Sequence, residues 1–238
     1  MDTIEFTILM PCLNEEKTVR FCIEEALAYI EKAGLQAQVL IADNGSTDSS
    51  VRLAKKAGAE VVIIPEKGYG NALRGGLKAA RGKYVIMGDC DGSYPFSELD
   101  AFVEKLREGY PLVMGDRFAV EMEPGAMPWS HRYVGVPLLS MLGRWRFRTD
   151  VRDFHCGLRG VNREKALELD FQCEGMEFAT EMIACFAKKR CQIAQLPVRL
   201  RKDGRDGRSH LRSVRDGWRH FTYIMLSGNS RKERERVV

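Results

Sequence analysis

Short apolar runs alternate with stretches whose apolar positions recur every three or four residues, and this alternation fills the first half of the 238-residue chain. Phe6 to Met10 reads as a short buried strand that Pro11 ends. Val19, Cys22, Ile23, Ala26, Leu27 and Ile30 then share one helix face. Asn14 is placed to cap that helix, Glu15 and Glu16 put negative charge in its first turn, and Gly34 stops it. Val39 to Ala42 is a second strand, followed by the turn-rich Asp43-Asn44-Gly45-Ser46-Thr47-Asp48 and a helix to Ala57. A strand over Val61 to Ile64, a glycine-bearing loop at Lys67 to Gly70 and a helix over Asn71 to Ala80 come next. Tyr84 to Asp89 is a strand apolar on both faces and therefore central. Pro95 opens a helix that buries Leu99, Phe102, Val103 and Leu106, and Leu112 to Gly115 is a further strand.

Such β-α alternation predicts an α/β fold, a mainly parallel sheet flanked by helices. Ligands in such sheets bind beyond the carboxyl ends of the strands. The second half is less regular. It holds a helix near Arg132 to Arg148, the loop Asp153 to Arg159, a short strand, and a helix around Glu177 to Lys189. A strand at Ile193 to Val198, a polar loop at Arg201 to Arg208 and a last helix from Leu211 complete it. No repeat or linker divides the chain, so residues 1–238 are read as one domain, split into halves at 115/116.

Composition narrows the picture little: 45% hydrophobic and 29% charged residues suit an ordinary globular domain. The net charge of +4 does not call for nucleic acid; the Arg-rich C-terminal stretch carries no aromatic platform and no reader motif. Seven cysteines without a C-x-x-C pair fit free thiols in a reducing compartment. The start Met1-Asp2-Thr3-Ile4-Glu5 lacks the features of a signal peptide, and no apolar run approaches the roughly 20 residues of a membrane helix. The expected location is cytoplasmic, with peripheral contact at the inner face of the membrane as an option.

Candidate chemistry lies at three strand ends: Asn14-Glu15-Glu16, Asp43 to Asp48, and Asp89-Cys90-Asp91. Residues two apart in an extended segment point the same way, so Asp89 and Asp91 can converge on one cation. Mg²⁺ or Mn²⁺ takes one or two carboxylates plus phosphate oxygens and water, and would make a diphosphate a better leaving group. Lys67 to Gly70 has two readings: an anion-approaching glycine loop before a helix, or a plain strand-to-helix turn. The last helix likewise has two. Leu211, Val214, Trp218, Phe221 and Met225 share a face flanked by Arg212, Arg215 and Arg219, which either packs on the core or lies on an anionic membrane. His131 and His155 lack a second ligand at zinc spacing and read as structural.

Pro11-Cys12-Leu13-Asn14-Glu15-Glu16, Asp43 to Asp48 and Asp89-Cys90-Asp91-Gly92 resemble, in order and spacing, the family 2 glycosyltransferases. Lys67-Gly68-Tyr69-Gly70-Asn71-Ala72, Gly115 to Phe118, Asp153 to Arg159 and Arg205 to Leu211 resemble the dolichol-phosphate mannose and polyprenyl-phosphate glucose synthase branch. The resemblance implies an A-type glycosyltransferase fold, Rossmann-like, and an inverting, metal-dependent transfer from a nucleotide-diphosphate sugar, UDP- favoured over GDP-. Residues 1–115 would then bind the nucleotide sugar, and residues 116–238 the acceptor. By the resemblance Pro11, Asn14, Glu15, Asp43, Asn44, Gly45, Lys67, Gly70, Asp89, Cys90 and Asp91 line the nucleotide site, with Asp89 and Asp91 on the metal. Arg205, Ser209 and His210 close over the diphosphate; the branch usually has Lys at the place of His210.

Asp153 is the first candidate for base or acceptor-positioning residue, with Glu177 and Glu181 behind it. Arg117 is placed to fork an acceptor phosphate. The implied acceptor is a polyprenyl phosphate. Many members of the branch continue into membrane helices, whereas this sequence runs to Arg231-Lys232-Glu233-Arg234-Glu235-Arg236-Val237-Val238. That leaves peripheral docking or a soluble or carrier-bound acceptor. A sugar nucleotidyltransferase would need a glycine-rich basic loop after the first strand, where Pro11 to Glu16 is acidic. A non-catalytic sugar-nucleotide-binding protein would not need Asp89 and Asp91.

Overall fold

A computed structural model describes residues 4–205 and 213–227 of the chain. The first half forms β1 (Phe6–Cys12), α1 (Val19–Ala33), β2 (Ala37–Asp43), α2 (Ser50–Lys56), β3 (Glu60–Ile63), α3 (Tyr69–Ala79), β4 (Tyr84–Met87), α4 (Asp100–Arg107) and β5 (Leu112–Asp116). A π-helical turn, His131–Gly135, leads into α5 (Val136–Phe147). Then come β6 (Arg159–Asn162), α6 (Arg163–Leu167), α7 (Phe178–Lys188), β7 (Ile193–Pro197) and α8 (Ser213–Leu226). The strands make one sheet of order β3-β2-β1-β4-β6-β5-β7. Only β6 runs antiparallel, against β4 and β5. The mainly parallel α/β sheet expected from the sequence is present.

Burial on both sheet faces explains why the strands read as continuous apolar runs. Phe6, Ile8, Met10 and Cys12 of β1 join the core beneath α1 and α4, whereas Leu9 faces Leu73 and Leu77 of α3 on the other side. Thr7 is the polar exception in β1. Its hydroxyl donates to Gln38 and accepts from the Gly82 amide, so nothing is left unpaired. All seven cysteines are free thiols, as their spacing indicated.

Several boundaries differ from the sequence reading for identifiable reasons. β1 continues through Pro11, because β4 pairs only as far as Leu9↔Met87 and no ladder partner stands opposite the missing Pro11 amide. Asn14 does not cap α1: it sits at φ +55° and its side chain accepts from the Thr47 amide at 2.8 Å, while the helix begins after Thr18. Glu15 and Glu16 therefore precede the helix. Pro95 opens a turn, and α4 begins only at Asp100, because the Glu25 carboxylate of α1 holds the Phe96 amide and the Ser97 hydroxyl. Gly34 does end α1, in the left-handed conformation.

The sequence proceeds outward from β1 to β2 and β3, then returns to place β4 on the other side of β1. This reversal is a topological switch point, the place beyond the strand ends where open α/β sheets bind their ligands. The ends of β1, β2 and β4 carry Glu15, Asp43, Asp89 and Asp91 into that region.

Candidate functional site

Beyond β4 the chain turns sharply, and Asp91 is buried with one oxygen held by the Ser93 amide at 3.0 Å and the Ser93 hydroxyl at 2.6 Å. Its second oxygen lies 3.1 Å from Arg205 Nη1. The same guanidinium forks onto the buried Glu15 carboxylate, with Nε at 2.9 and 3.0 Å from its two oxygens. The Gly204 amide donates to the Asp91 carbonyl at 2.8 Å, which ties the Arg205 loop to the strand end. One cationic head thus bridges two carboxylates contributed by different strand ends, Glu15 after β1 and Asp91 after β4.

Asp89 lies beside this cluster, accepting from the Tyr69 hydroxyl at 3.1 Å. Burial and the charge of Asp91 push its carboxyl up to about 6. Gly157 abuts it so closely that a Cβ there would collide with Asp89 Oδ2. Cys90, between the two aspartates, turns inward and donates to the Pro11 carbonyl at 3.0 Å. The hydrogen bond with Cys12 and burial hold its thiol well above the ordinary range, so it stays protonated and ties β4 to β1.

The β2 end forms a second wall. Asp43 is buried and accepts from the amides of Gly45 at 3.0 Å and Ser46 at 3.2 Å, closing its own turn. Gly45 takes φ +87°, which only glycine adopts without strain. Asn44 bonds the carbonyls of Ile64 and Glu66 and accepts from the Gly68 amide at 2.7 Å. The Lys67 ammonium donates to the carbonyls of Asn44 at 2.9 Å and Gly45 at 3.2 Å. The loop is thus braced as a strand-to-helix turn, with the Gly70 and Asn71 amides held by the Glu174 carbonyl.

The second half of the chain is organised by a buried fork. Arg117 donates from Nε and Nη2 to the two oxygens of Asp153 at 2.6 and 2.9 Å, and Asp153 is fully buried. Burial presses Arg117 toward neutrality, yet the charge of Asp153 holds its guanidinium well above the ordinary value. The two candidates that the sequence treated separately are one unit. Glu181 accepts from the Gln172 and Cys173 amides at 2.8 Å each, and burial raises its carboxyl. Glu177 stands at the N-cap of α7, one turn before Glu181, whose amide donates to its carbonyl, and its carboxylate accepts from Arg219 of α8 at 2.6 Å. Ser209 and His210 lie outside the described residues.

Sequence reasoning missed three contributors. Tyr69 stood inside a quoted motif, and its aromatic hydroxyl before a helix was the signal. Arg159 reaches the carbonyls of Phe154, Cys156 and Ala179, clamping the Asp153 loop to α7. His220 of α8 bonds Thr180 at 2.8 Å and meets His155 edge-on at 4.4 Å; nothing local in the sequence announced that pairing.

Among the described residues no three His, Cys, Asp or Glu side chains gather as a metal cluster. Two carboxylates beside a guanidinium fit a hard cation that takes its other ligands from phosphate and water.

Residues 7–169 match the Glycosyl transferase family 2 model. The chain is 36% identical over 222 residues to the low-salt glycan biosynthesis hexosyltransferase Agl6 of Haloferax volcanii, covering 93% of this chain and 53% of that protein. It thus spans about half the length of that relative. A dolichyl-phosphate hexose transferase of the same organism is 27% identical, covering 83% of each chain. Among solved structures, glucosyl-3-phosphoglycerate synthase from Mycobacterium tuberculosis in complex with Mn²⁺, UDP-glucose and phosphoglyceric acid aligns with TM-score 0.70 at 25% identity. That alignment covers 94% of this chain and 79% of the neighbour.

Proposed function

Because the chain belongs to glycosyl transferase family 2, we propose that it moves a sugar, with inversion, from a UDP-sugar to a polyprenyl phosphate. A GDP-sugar is the alternative donor. The observation that carries the donor half is the Arg205 guanidinium held by Glu15 and Asp91 at the switch point, next to Asp89. These carboxylates already accommodate positive charge where a diphosphate would arrive. Asp89 and Asp91 would hold Mg²⁺ or Mn²⁺, which neutralises the diphosphate and eases its departure. Arg205, released from Asp91, would turn to the phosphates together with Ser209 and His210. Pro11, Asn14, Asp43, Asn44 and Gly45 shape the nucleoside wall, Asp43 meeting ribose or base. Lys67, Gly70 and Cys90 brace that wall from behind.

An acceptor phosphate is itself the nucleophile. Its oxygen attacks the anomeric carbon opposite the diphosphate, and the carbon–oxygen bond to UDP breaks. Such an acceptor needs positioning rather than a base. Arg117, whose Nε edge is held by both Asp153 oxygens, would offer its remaining Nη1 and Nη2 hydrogens to it. The dolichyl-phosphate hexose transferase relative supports this acceptor class. A soluble phosphorylated acceptor is the second reading, favoured by the neighbour solved with phosphoglyceric acid. A hydroxyl nucleophile would then recruit a base, with Glu177 and Glu181 behind Asp153 as candidates. A lipid acceptor would be met at a bilayer, where α8 turns out Val214, Trp218 and Met225.

Incubation with UDP-sugars or GDP-mannose, Mn²⁺ and either a short-chain polyprenyl phosphate or 3-phosphoglycerate, read by mass spectrometry, tests this. The expected product is a glycosylated polyprenyl phosphate, lost in Arg117→Ala. Transfer only to 3-phosphoglycerate would establish the second reading, and no transfer to either would refute both.

A further inference from the structure

The stretch from Trp129 to Trp145 carries large apolar side chains on its outer face as well as its inner one. At the spacing of one helix face, Val134, Leu138, Met141 and Trp145 are all exposed, from 49% at Leu138 to 73% at Trp145. Trp129 and Tyr133 extend this stripe from the turn before α5, with rings 5.6 Å apart. The inward face of α5 carries Ser140, Gly143 and Phe147, with Leu139 and Leu142 partly buried against the core beside them. A helix that buries a serine and a glycine and presents methionine, leucine and tryptophan to the outside has a second apolar environment to meet.

Charge identifies that environment. Between Glu123 and Asp150 the sequence has no acidic residue but carries Arg132, Arg144, Arg146 and Arg148. Arg132 lies over the Tyr133 ring at 5.4 Å, and Arg146 donates to the Ser227 carbonyl, which fixes α5 to the end of α8. Aromatic residues at both ends, aliphatic residues between them and flanking arginines match a helix lying in the headgroup layer of an anionic bilayer. We infer that the outward face of the 129–148 segment is a membrane-docking surface for anionic lipid.

Its place in the fold joins that surface to the site. The inner side of α5 seats the acceptor loop: the Ser140 hydroxyl accepts from the Phe154 amide at 3.3 Å, and Gly143 leaves room for the Phe154 ring. Asp153, which orients Arg117, precedes that phenylalanine. A bilayer against α5 would therefore lie one helix away from the fork that takes the phosphate. The inference deepens the lipid-acceptor reading, and its relation to the acceptor rests on that reading.

The test is co-sedimentation of the full chain with phosphatidylglycerol-containing vesicles and with pure phosphatidylcholine vesicles. Wild type is compared with Leu138→Ser/Trp145→Ser and with Arg132→Gln/Arg144→Gln. Expected are binding to the anionic vesicles that weakens in salt, its loss in the apolar pair, and about a fivefold weakening per arginine removed. Melting temperatures should not move, since these side chains support no core. Absent vesicle binding, or equal binding by the apolar pair, overturns the inference. So does a solution dimer that this pair dissolves, since the face would then serve a second copy. Transfer to a water-soluble short-chain polyprenyl phosphate is measured without vesicles alongside. Vesicle binding without such transfer upholds the surface and refutes the acceptor reading; transfer without vesicle binding does the reverse.

Discussion

Gly157 shows how closely the site is set at the level of single atoms. It lies against Asp89, and its amide donates to the Tyr94 hydroxyl at 2.8 Å. In Gly157→Ala the new methyl must displace either the half-buried Asp89 carboxylate or the Tyr94 ring, which is enclosed by core. Overpacking of this kind costs about 1–3 kcal/mol. Because the carboxylate is the softer neighbour, the cost should fall on the site, as a roughly ten- to hundredfold loss of Mn²⁺-supported nucleotide affinity. Calorimetry checks this, and unchanged affinity would mean that Asp89 does not face the nucleotide. The sequence made Asp89 and Asp91 legible, because an Asp-x-Asp after a buried run is a local pattern. It could not show that Arg117 and Asp153 form one fork, since their 36-residue separation is closed only by the sheet.

At the scale of elements, α8 is seated by a polar contact where the apolar stripe of the sequence pointed elsewhere. Val214 and Trp218 of that stripe face outward, while Asp216, His220 and Ile224 are buried. The 3.6-residue period located the helix correctly but could not say which face meets the protein, because the inner face is the more polar one. The seating makes the helix pH-sensitive. Burial, aided by Arg159 and Arg219, brings His220 down to about 4, against 6.5 for an exposed imidazole. Burial and the neighbouring His220 push His155 below its ordinary value as well. The unfolded chain binds these protons at higher pH than the folded one. The stabilisation is therefore complete above 6.5 and is lost as pH falls toward 4. For His220 alone this amounts to about 2 kcal/mol between pH 7 and pH 5. Thermal melts should show the wild type losing more stability over that interval than His220→Gln; parallel losses would show that this histidine does not titrate as described.

For the whole molecule, the strand order does most of the functional assembly. Placing β4 on the far side of β1 brings Glu15, Asp43, Asp89 and Asp91 to one end of the sheet from positions spread over 77 residues of sequence. The β-α alternation made that parallel half legible from the sequence alone. The antiparallel β6 and the packing of α5, α7 and α8 were not, because they depend on contacts with no local period. The proposed transfer requires that this end of the sheet bind a nucleoside diphosphate through a divalent cation held by Asp89 and Asp91. Titration calorimetry of UDP into the chain, with Mn²⁺ or with excess chelator, in wild type and Asp91→Ala, tests it directly. Mn²⁺-dependent binding is predicted, weakened at least about a hundredfold, or roughly 3 kcal/mol, by chelation and by the substitution alike, with the native circular-dichroism spectrum retained. UDP binding of equal strength in chelator and in Asp91→Ala would contradict it.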